Sequence, residues 1–219
     1  NGMPGVQIPR VKTGKDFGRL GAMQYVDDTI LLASSKAELE VMVARVIRVA
    51  SVMGMALNET KTVYTVSGGR DTEYGPLSMG PTTKPTPQTP ANQAFRYLGV
   101  HIQADGGWET QETILEEKID GYLSRMATIS LRDHQVKMAI EAVVLPTLLY
   151  AGAIAYLSDA WVGKMETRIT KTAKKSLRLR SGTATAYLRD PSFGLGFPSL
   201  REALDNEIIA SAYLRLNQI

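Results

Sequence analysis

Gln24-Tyr25-Val26-Asp27-Asp28-Thr29-Ile30-Leu31-Leu32-Ala33 places two adjacent carboxylates between two apolar, β-prone runs. Residues 21–25 and 29–33 read as the arms of a tight hairpin, with Asp27 and Asp28 at its bend. Neighbouring side chains on a strand point to opposite faces, but at a hairpin turn both acids can approach one point. Two like charges that close repel unless water screens them or a cation offsets them. The pair is therefore either a solvated turn or a perch for a hard divalent ion. Mg²⁺ fits the second case, because it takes one or two carboxylates together with substrate phosphates. Two such ions serve phosphoryl transfer, one activating the attacking hydroxyl and one stabilising the leaving oxygen.

Downstream of the hairpin, Ser35 and Glu38 have the spacing of a capping box. Leu39, Met42, Val43, Val46, Ile47, Ala50 and Met53 then recur at helical spacing until Gly54 stops them. Residues 57–66 read as a turn feeding a strand. Prolines 76, 81, 85, 87 and 90 exclude a central strand or a helix interior from residues 67–94, which are expected to form a long loop or a partly ordered insert. Residues 94–103 return to strand character, with Gly99 at a bend. After Gly107 the pattern is helical, predicting helices over 109–128, over 132–156 with a kink near Pro146, over 159–179, and over 200–219.

Among 219 residues there is no cysteine, and His101 and His134 are the only imidazoles, so thiolate and His-rich metal sites are excluded. The uncharged run over 142–158 contains Pro146 and is shorter than the roughly 20 residues that cross a bilayer, so no membrane insertion is expected. No signal peptide is visible, and the opening Asn-Gly suggests a processing site or a fragment boundary. The net charge is only +3, but it is concentrated. Lys164, Arg168, Lys171, Lys174, Lys175, Arg178 and Arg180 face Glu166 alone between residues 161 and 180, giving that segment +6 (7 − 1) and the rest −3. Lys164, Arg168, Lys171, Lys175 and Arg178 step by 4, 3, 4 and 3 and so share one helix face, beside a less polar stripe of Trp161, Met165, Ile169, Thr172, Ser176 and Leu179. That face is either a solvated lysine/arginine surface or a polyanion-binding one; its near-absence of acids favours the second.

Taken in order, these segments resemble the reverse transcriptases of non-LTR (LINE- and R2-like) retroelements, from about residue 20 to 216. Tyr25-Val26-Asp27-Asp28 is similar to the family's metal-binding hairpin, and Leu57-Asn58-Glu59-Thr60-Lys61-Thr62 to the element that follows it. Phe95-Arg96-Tyr97-Leu98-Gly99-Val100 is similar to the hairpin that grips the primer end. Pro146 to Tyr150, and Gly194-Leu195-Gly196-Phe197-Pro198-Ser199-Leu200, resemble patterns of the helical thumb. The resemblance implies an α+β fold. An N-terminal arm over 1–19 precedes a partial polymerase palm over 20–107, an antiparallel sheet with a packed helix and an insert at 67–94. An all-helical thumb follows over 108–219.

Asp27 and Asp28 would then be metal ligands of a two-Mg²⁺ site, and Lys61 would approach the incoming nucleotide's phosphates. Tyr97, Leu98 and Gly99 would position the primer, and Tyr25 would pack near its end. Lys61 also reads as an ordinary surface lysine, and Tyr25 as a core filler. A palm needs a further aspartate and fingers upstream of the hairpin, so the chain alone is expected to be inactive and its Mg²⁺ site incomplete. Partners implied are RNA or an RNA/DNA hybrid, and a second protein chain covering the open sheet. The alternative is a domesticated, non-catalytic subunit of a ribonucleoprotein. Either role is intracellular, with nucleus and organelle both open.

Overall fold

A computed structural model describes residues 4–7, 19–68, 74–80 and 84–217. The chain divides into two compact units, Asn1–Gly107 and Trp108–Ile219.

In the first unit, β1 (Val6–Gln7) pairs antiparallel with β2 (Arg19–Leu20), so the described part of the expected arm carries a short ladder. β3 (Ala22–Tyr25) and β4 (Asp28–Leu31) form the acidic hairpin, followed by α1 (Lys36–Val52). Ser35 caps α1 by accepting from the Glu38 N–H at 3.2 Å. The Glu38 carboxylate reaches past Ser35 and accepts from the N–H groups of Ser34 and Gly5, each at 2.8 Å. One acid thus ties the N-terminal ladder to the helix start. Gly54, at φ +72, ends α1 as its sequence position predicts.

Among its described residues the proline-rich insert is partly ordered, the second of the two forms expected. β5 (Tyr64–Thr65) pairs in parallel with β6 (Gln88–Thr89), and Leu77 bridges Thr86 through reciprocal backbone bonds of 2.7 and 2.9 Å. Thr86 lies between Pro85 and Pro87. Successive residues of a strand direct their N–H groups to opposite edges, so prolines at alternate positions leave the missing donors away from Leu77. Leu77 and Met79 are buried with Val43 and Tyr64, and Leu31, Leu39, Ile47, Leu57 and Val66 pack around them. Residues 69–73 and 81–83 lie outside the described residues.

β7 (Phe95–Tyr97) and β8 (Val100–Ile102) form a second hairpin, with both central residues left-handed, Leu98 at φ +46 and Gly99 at φ +85. That is the primed turn whose twist matches its strands. The expected single antiparallel sheet is thus resolved, among the described residues, into two-stranded pairs, one of them parallel.

The second unit is helical: α2 (Glu109–Thr128), α3 (Asp133–Ala139), a π-helical turn Ile140–Val144, α4 (Leu145–Gly152), α5 (Asp159–Ser176), α6 (Thr185–Arg189) and α7 (Leu200–Asn217). The π turn explains how Pro146 sits inside a long helix. Proline has no N–H for the carbonyl four residues back and its ring crowds that carbonyl. The helix widens just before it, the Leu145 N–H bonding to Ile140 five residues back. Leu115, Ile119, Met165, Ile169, Ile140, Val144, Leu148, Leu188 and Leu200 form a continuous core. At roughly 1.5–3 kcal/mol per buried large apolar side chain, this core dominates the unit's stability.

The Gly-Leu-Gly-Phe-Pro-Ser-Leu segment is a close backbone crossing. The Leu195 N–H donates to the Tyr187 carbonyl at 2.9 Å and the Phe197 N–H to the Leu188 carbonyl at 2.7 Å. A Cβ on Gly194 would collide with the Tyr187 carbonyl oxygen and lie 2.8 Å from that of Asp190. Gly121, in the middle of α2, has nothing within 4 Å of an added Cβ. Gly194→Ala should therefore cost about 2 kcal/mol or more in urea unfolding. Gly121→Ala should gain about 0.5–1 kcal/mol from helix propensity.

Candidate metal and nucleic-acid sites

In the first unit the register Tyr25↔Asp28 leaves Val26 and Asp27 as the two turn residues. Of these, Val26 has the positive φ, +55, a conformation that glycine adopts freely and a β-branched residue at a cost of about 1–3 kcal/mol. Val26 is 78% exposed, so packing of its side chain does not recover that cost. The pairs Tyr25↔Asp28 and Met23↔Ile30 share one face of the hairpin, while Leu31, on the other, packs toward the α1 core. Asp28 therefore shares an exposed face with Met23 and Tyr25, and Asp27 sits at the tip. Among the described residues neither aspartate has a hydrogen-bond or ion-pair partner, and no group of three or more His, Asp or Glu is placed to hold a metal. Two unengaged carboxylates suit an oxygen-seeking ion but fill only part of its shell; water and phosphate oxygens are the usual complement.

Lys61 is exposed at the end of a turn that Asn58 organises. The Asn58 side-chain oxygen accepts from the Thr60 hydroxyl at 2.8 Å and the Lys61 N–H at 3.3 Å. Its carbonyl accepts from the N–H and hydroxyl of Thr62 at 3.1 and 2.8 Å. Asn58 has no role assigned by sequence reading, yet it is what fixes the backbone at Lys61. Tyr97, Leu98 and Gly99 lie half-buried at the second hairpin's bend.

In the second unit the basic face divides in two. Polar contacts between α2 and α5 advance together along both helices. Glu112 accepts from the Ser158 hydroxyl at 3.3 Å, Glu116 from Lys164 at 2.8 Å to both oxygens, Asp120 from Arg168, and the Met126 carbonyl from the Ser176 hydroxyl at 3.2 Å. The two helices therefore run parallel. Arg168 also reaches Glu116 at 3.2 Å. Lys164 and Arg168 are thus neutralised within the unit. The acids of α2 end at Asp120, and the next acid in the chain is Asp133, so Lys171 and Lys175 have nothing negative opposite them. Among the described residues neither has an ion-pair partner, and both are exposed, as are Arg178 and Arg180.

The predicted helix over 159–179 ends earlier, at Ser176. The Arg178 N–H bonds to the Lys175 carbonyl at 3.0 Å and the Leu179 N–H to that of Lys174 at 2.9 Å, closing a Schellman cap with Arg178 left-handed at φ +56. Arg178 is thus carried by the cap beyond the helix rather than by the helix face. Leu179 folds back onto the core.

Glu166 of α5 pairs with Arg189 of α6 and accepts from the Leu200 N–H at 2.7 Å. It is a staple for α6 and α7, a role with no signal in the linear sequence. The acids at 112, 116 and 120, by contrast, advertise one face of α2 through their spacing.

The Glu116 carboxyl is held below the ordinary carboxylate range, mainly by its hydrogen bond to Lys164 and then by the Lys164 and Arg168 charges, against partial burial that raises it. Among the described residues the buried Trp161 indole N–H has no hydrogen-bond partner, but its positive edge adds to the same stabilisation. A depressed folded value means stability that is present above the unperturbed value of 4.5 and lost as pH falls through the lower folded one. Glu116→Gln should flatten the loss of thermal stability below that value while changing the neutral melting temperature little, since such pairs contribute about 0.2–1 kcal/mol.

No family model matches the chain. It is similar to the Retrovirus-related Pol polyprotein from the type-2 retrotransposable element R2DM of Drosophila melanogaster, 25% identical over 186 residues, covering 82% of this chain and 17% of that protein. It is likewise similar to the Retrovirus-related Pol polyproteins from type-1 retrotransposable element R2 of Nasonia vitripennis and Bradysia coprophila, each 24% identical, covering 85% and 91% of this chain. The chain spans 17–23% of the length of these curated relatives. The similarity supports, at that level, a reverse-transcriptase-related region of an R2-like retroelement.

Proposed function

We propose that the chain is the C-terminal palm and thumb portion of an RNA-directed DNA polymerase of a retroelement, holding template–primer and contributing part of a two-Mg²⁺ site. One observation carries the reading. Among the described residues the non-glycine positions with positive φ are Val26, Leu98 and Arg178. They fall at the Asp-Asp turn, at the Tyr-Leu-Gly turn and at the end of the basic helix. Left-handed valine, leucine and arginine each cost stability, and such costs concentrate where a turn must present particular groups. The similarity to the Bradysia coprophila R2 Pol polyprotein, over 91% of the chain, is long enough to contain all three.

In this reading Asp27 and Asp28 hold divalent metal, which when bound would activate a primer hydroxyl and offset charge on the leaving phosphate. Lys61, fixed by the Asn58 turn, neutralises the incoming nucleotide's phosphates. Tyr97, Leu98 and Gly99 hold the primer backbone through the rigid second hairpin. Lys171, Lys175 and Arg178 bind the phosphates of an RNA/DNA hybrid, whereas Lys164 and Arg168 serve to align α5 on α2. A further chain or segment would complete the metal shell and cover Met23 and Tyr25.

Hybrid binding should weaken steeply with salt, and Lys171→Glu with Lys175→Glu should make the slope of log K against log[salt] shallower by about 2. Lys164→Ala should leave that slope nearly unchanged; an equal effect from Lys164 would remove the distinction drawn between the two halves of α5. Arg178→Gly should raise stability by about 1 kcal/mol through relief of the left-handed strain while weakening hybrid binding. Mn²⁺ added to the hybrid-bound protein should broaden the NMR signals around Asp27 and Asp28, and Asp27→Asn should abolish this. Hybrid binding without any metal response at the hairpin would instead favour the non-catalytic, RNA-binding subunit.

A further inference from the structure

The turn after α5 carries a hydroxyl that the proposed function does not use. The Thr183 N–H donates to the Arg180 carbonyl at 3.0 Å, closing a four-residue turn with Ser181 and Gly182 exposed at its crest. Arg178 and Arg180, both exposed, stand three and one residues before Ser181. Lys174 donates its ammonium to the Ser181 carbonyl at 3.3 Å, so a cation already rests against this residue. From Thr167 to Arg189 the chain has no acid. Of the seven cations in that stretch, Arg168 and Arg189 are committed to ion pairs, which leaves Lys171, Lys174, Lys175, Arg178 and Arg180.

We infer that Ser181 is a phosphorylation site for an arginine-directed Ser/Thr protein kinase, and that its phosphate, held by Lys174, Arg178 and Arg180, weakens the basic surface by taking Arg178 from it. The effect on nucleic-acid binding rests on the function proposed above; the site and the seat of the phosphate do not. Such kinases read positive charge just N-terminal to the acceptor, and here that charge is displayed on an exposed turn rather than buried in a helix. In the transfer, the Ser181 Oγ attacks the γ-phosphorus of a nucleoside triphosphate. The new O–P bond forms as the bond to the β-phosphate oxygen breaks, the nucleoside diphosphate leaves, and the hydroxyl proton passes to the kinase's base. The product carries about −1.5 to −2 charge with three strong acceptor oxygens. A phosphate at a helix C-terminus normally meets the negative end of the dipole and is disfavoured there. At this C-terminus three cations outweigh that repulsion. The same pairing removes Arg178, the one of the three assigned to the hybrid, from competition for an external phosphate backbone.

The test incubates the chain with an arginine-directed kinase and Mg-ATP, locates the phosphate by mass spectrometry, and titrates it by ³¹P NMR. One phosphate is expected, at Ser181, and absent from Ser181→Ala. Its second ionisation should lie below the ordinary value near 6 and return toward it in Lys174→Ala. Against an RNA/DNA hybrid, the modified protein should lose the Arg178 contact, with a salt slope shallower by about 1 and roughly tenfold weaker binding at 0.1 M salt. A phosphate at Thr183 or elsewhere, no modification, an unshifted ³¹P titration, or an unchanged salt slope in a protein that binds hybrid would each overturn the inference. Failure of the unmodified protein to bind hybrid would overturn the nucleic-acid reading and with it the switch, while the ³¹P result would still decide the site.

Discussion

The parallel alignment of α2 and α5 is the constraint from which the second unit's surface follows. Apolar residues supply the energy: Leu115, Ile119 and Leu123 on α2 are buried in one core with Trp161, Met165 and Ile169 on α5. In that packing Glu112, Glu116 and Asp120 each meet a donor on or beside α5, namely Ser158, Lys164 and Arg168. α2 places its acids in its first three turns, so parallel packing compensates α5 at its N-terminal half only. An antiparallel arrangement would have set the same acids against Lys171 and Lys175. The uncompensated cationic end is thus a consequence of helix direction, not of composition.

Strain makes the same distinction in the first unit. The acidic hairpin could have been closed by glycine or asparagine with less cost, and so could the cap that carries Arg178. Stability is given up where a particular side chain or backbone direction is kept. The energetic scale matters here. A left-handed residue costs on the order of 1–3 kcal/mol against a total stability of about 5–15 kcal/mol, so a domain carries few such positions.

Much of this was legible in the sequence, for reasons that can be named. The α1 helix, its Ser35 cap and its Gly54 stop are local, set by spacing and turn chemistry. Both hairpins are local too, since alternation fixes their arms, although the first bends at Val26 and Asp27 rather than at Asp27 and Asp28. Pro146 correctly signalled a disturbed helix, although its resolution into a π turn depends on backbone bonds that sequence does not display. The short ladders of the insert are hard to place from sequence because prolines count against strands in general, while at alternate positions, as at 85 and 87 around Thr86, their missing donors fall on the edge facing away from the partner. The basic face was overcounted because its compensating acids lie about 50 residues upstream. Five cations at helical spacing state which way they point, not what stands opposite them. The Glu166 staple was invisible for the same reason, since its partners Arg189 and Leu200 are brought to it only by the Gly194 crossing.

Separating the apolar core from the charged rim has a functional consequence. Lys171, Lys175, Arg178 and Arg180 contribute nothing to the core, so their charge can be screened, reversed or paired without loosening α5 from α2. Arg168 and Lys164 are the opposite case, since removing either exposes Glu116 or Asp120 to repulsion along the helix interface. A surface built this way can change its affinity for a polyanion over a wide range while the fold beneath it stays put. Leu179 supports that independence, because it anchors the chain to the core immediately after Arg178. The following turn meets the last turn of α5 through a side chain, Lys174, which donates to the Ser181 carbonyl at 3.3 Å.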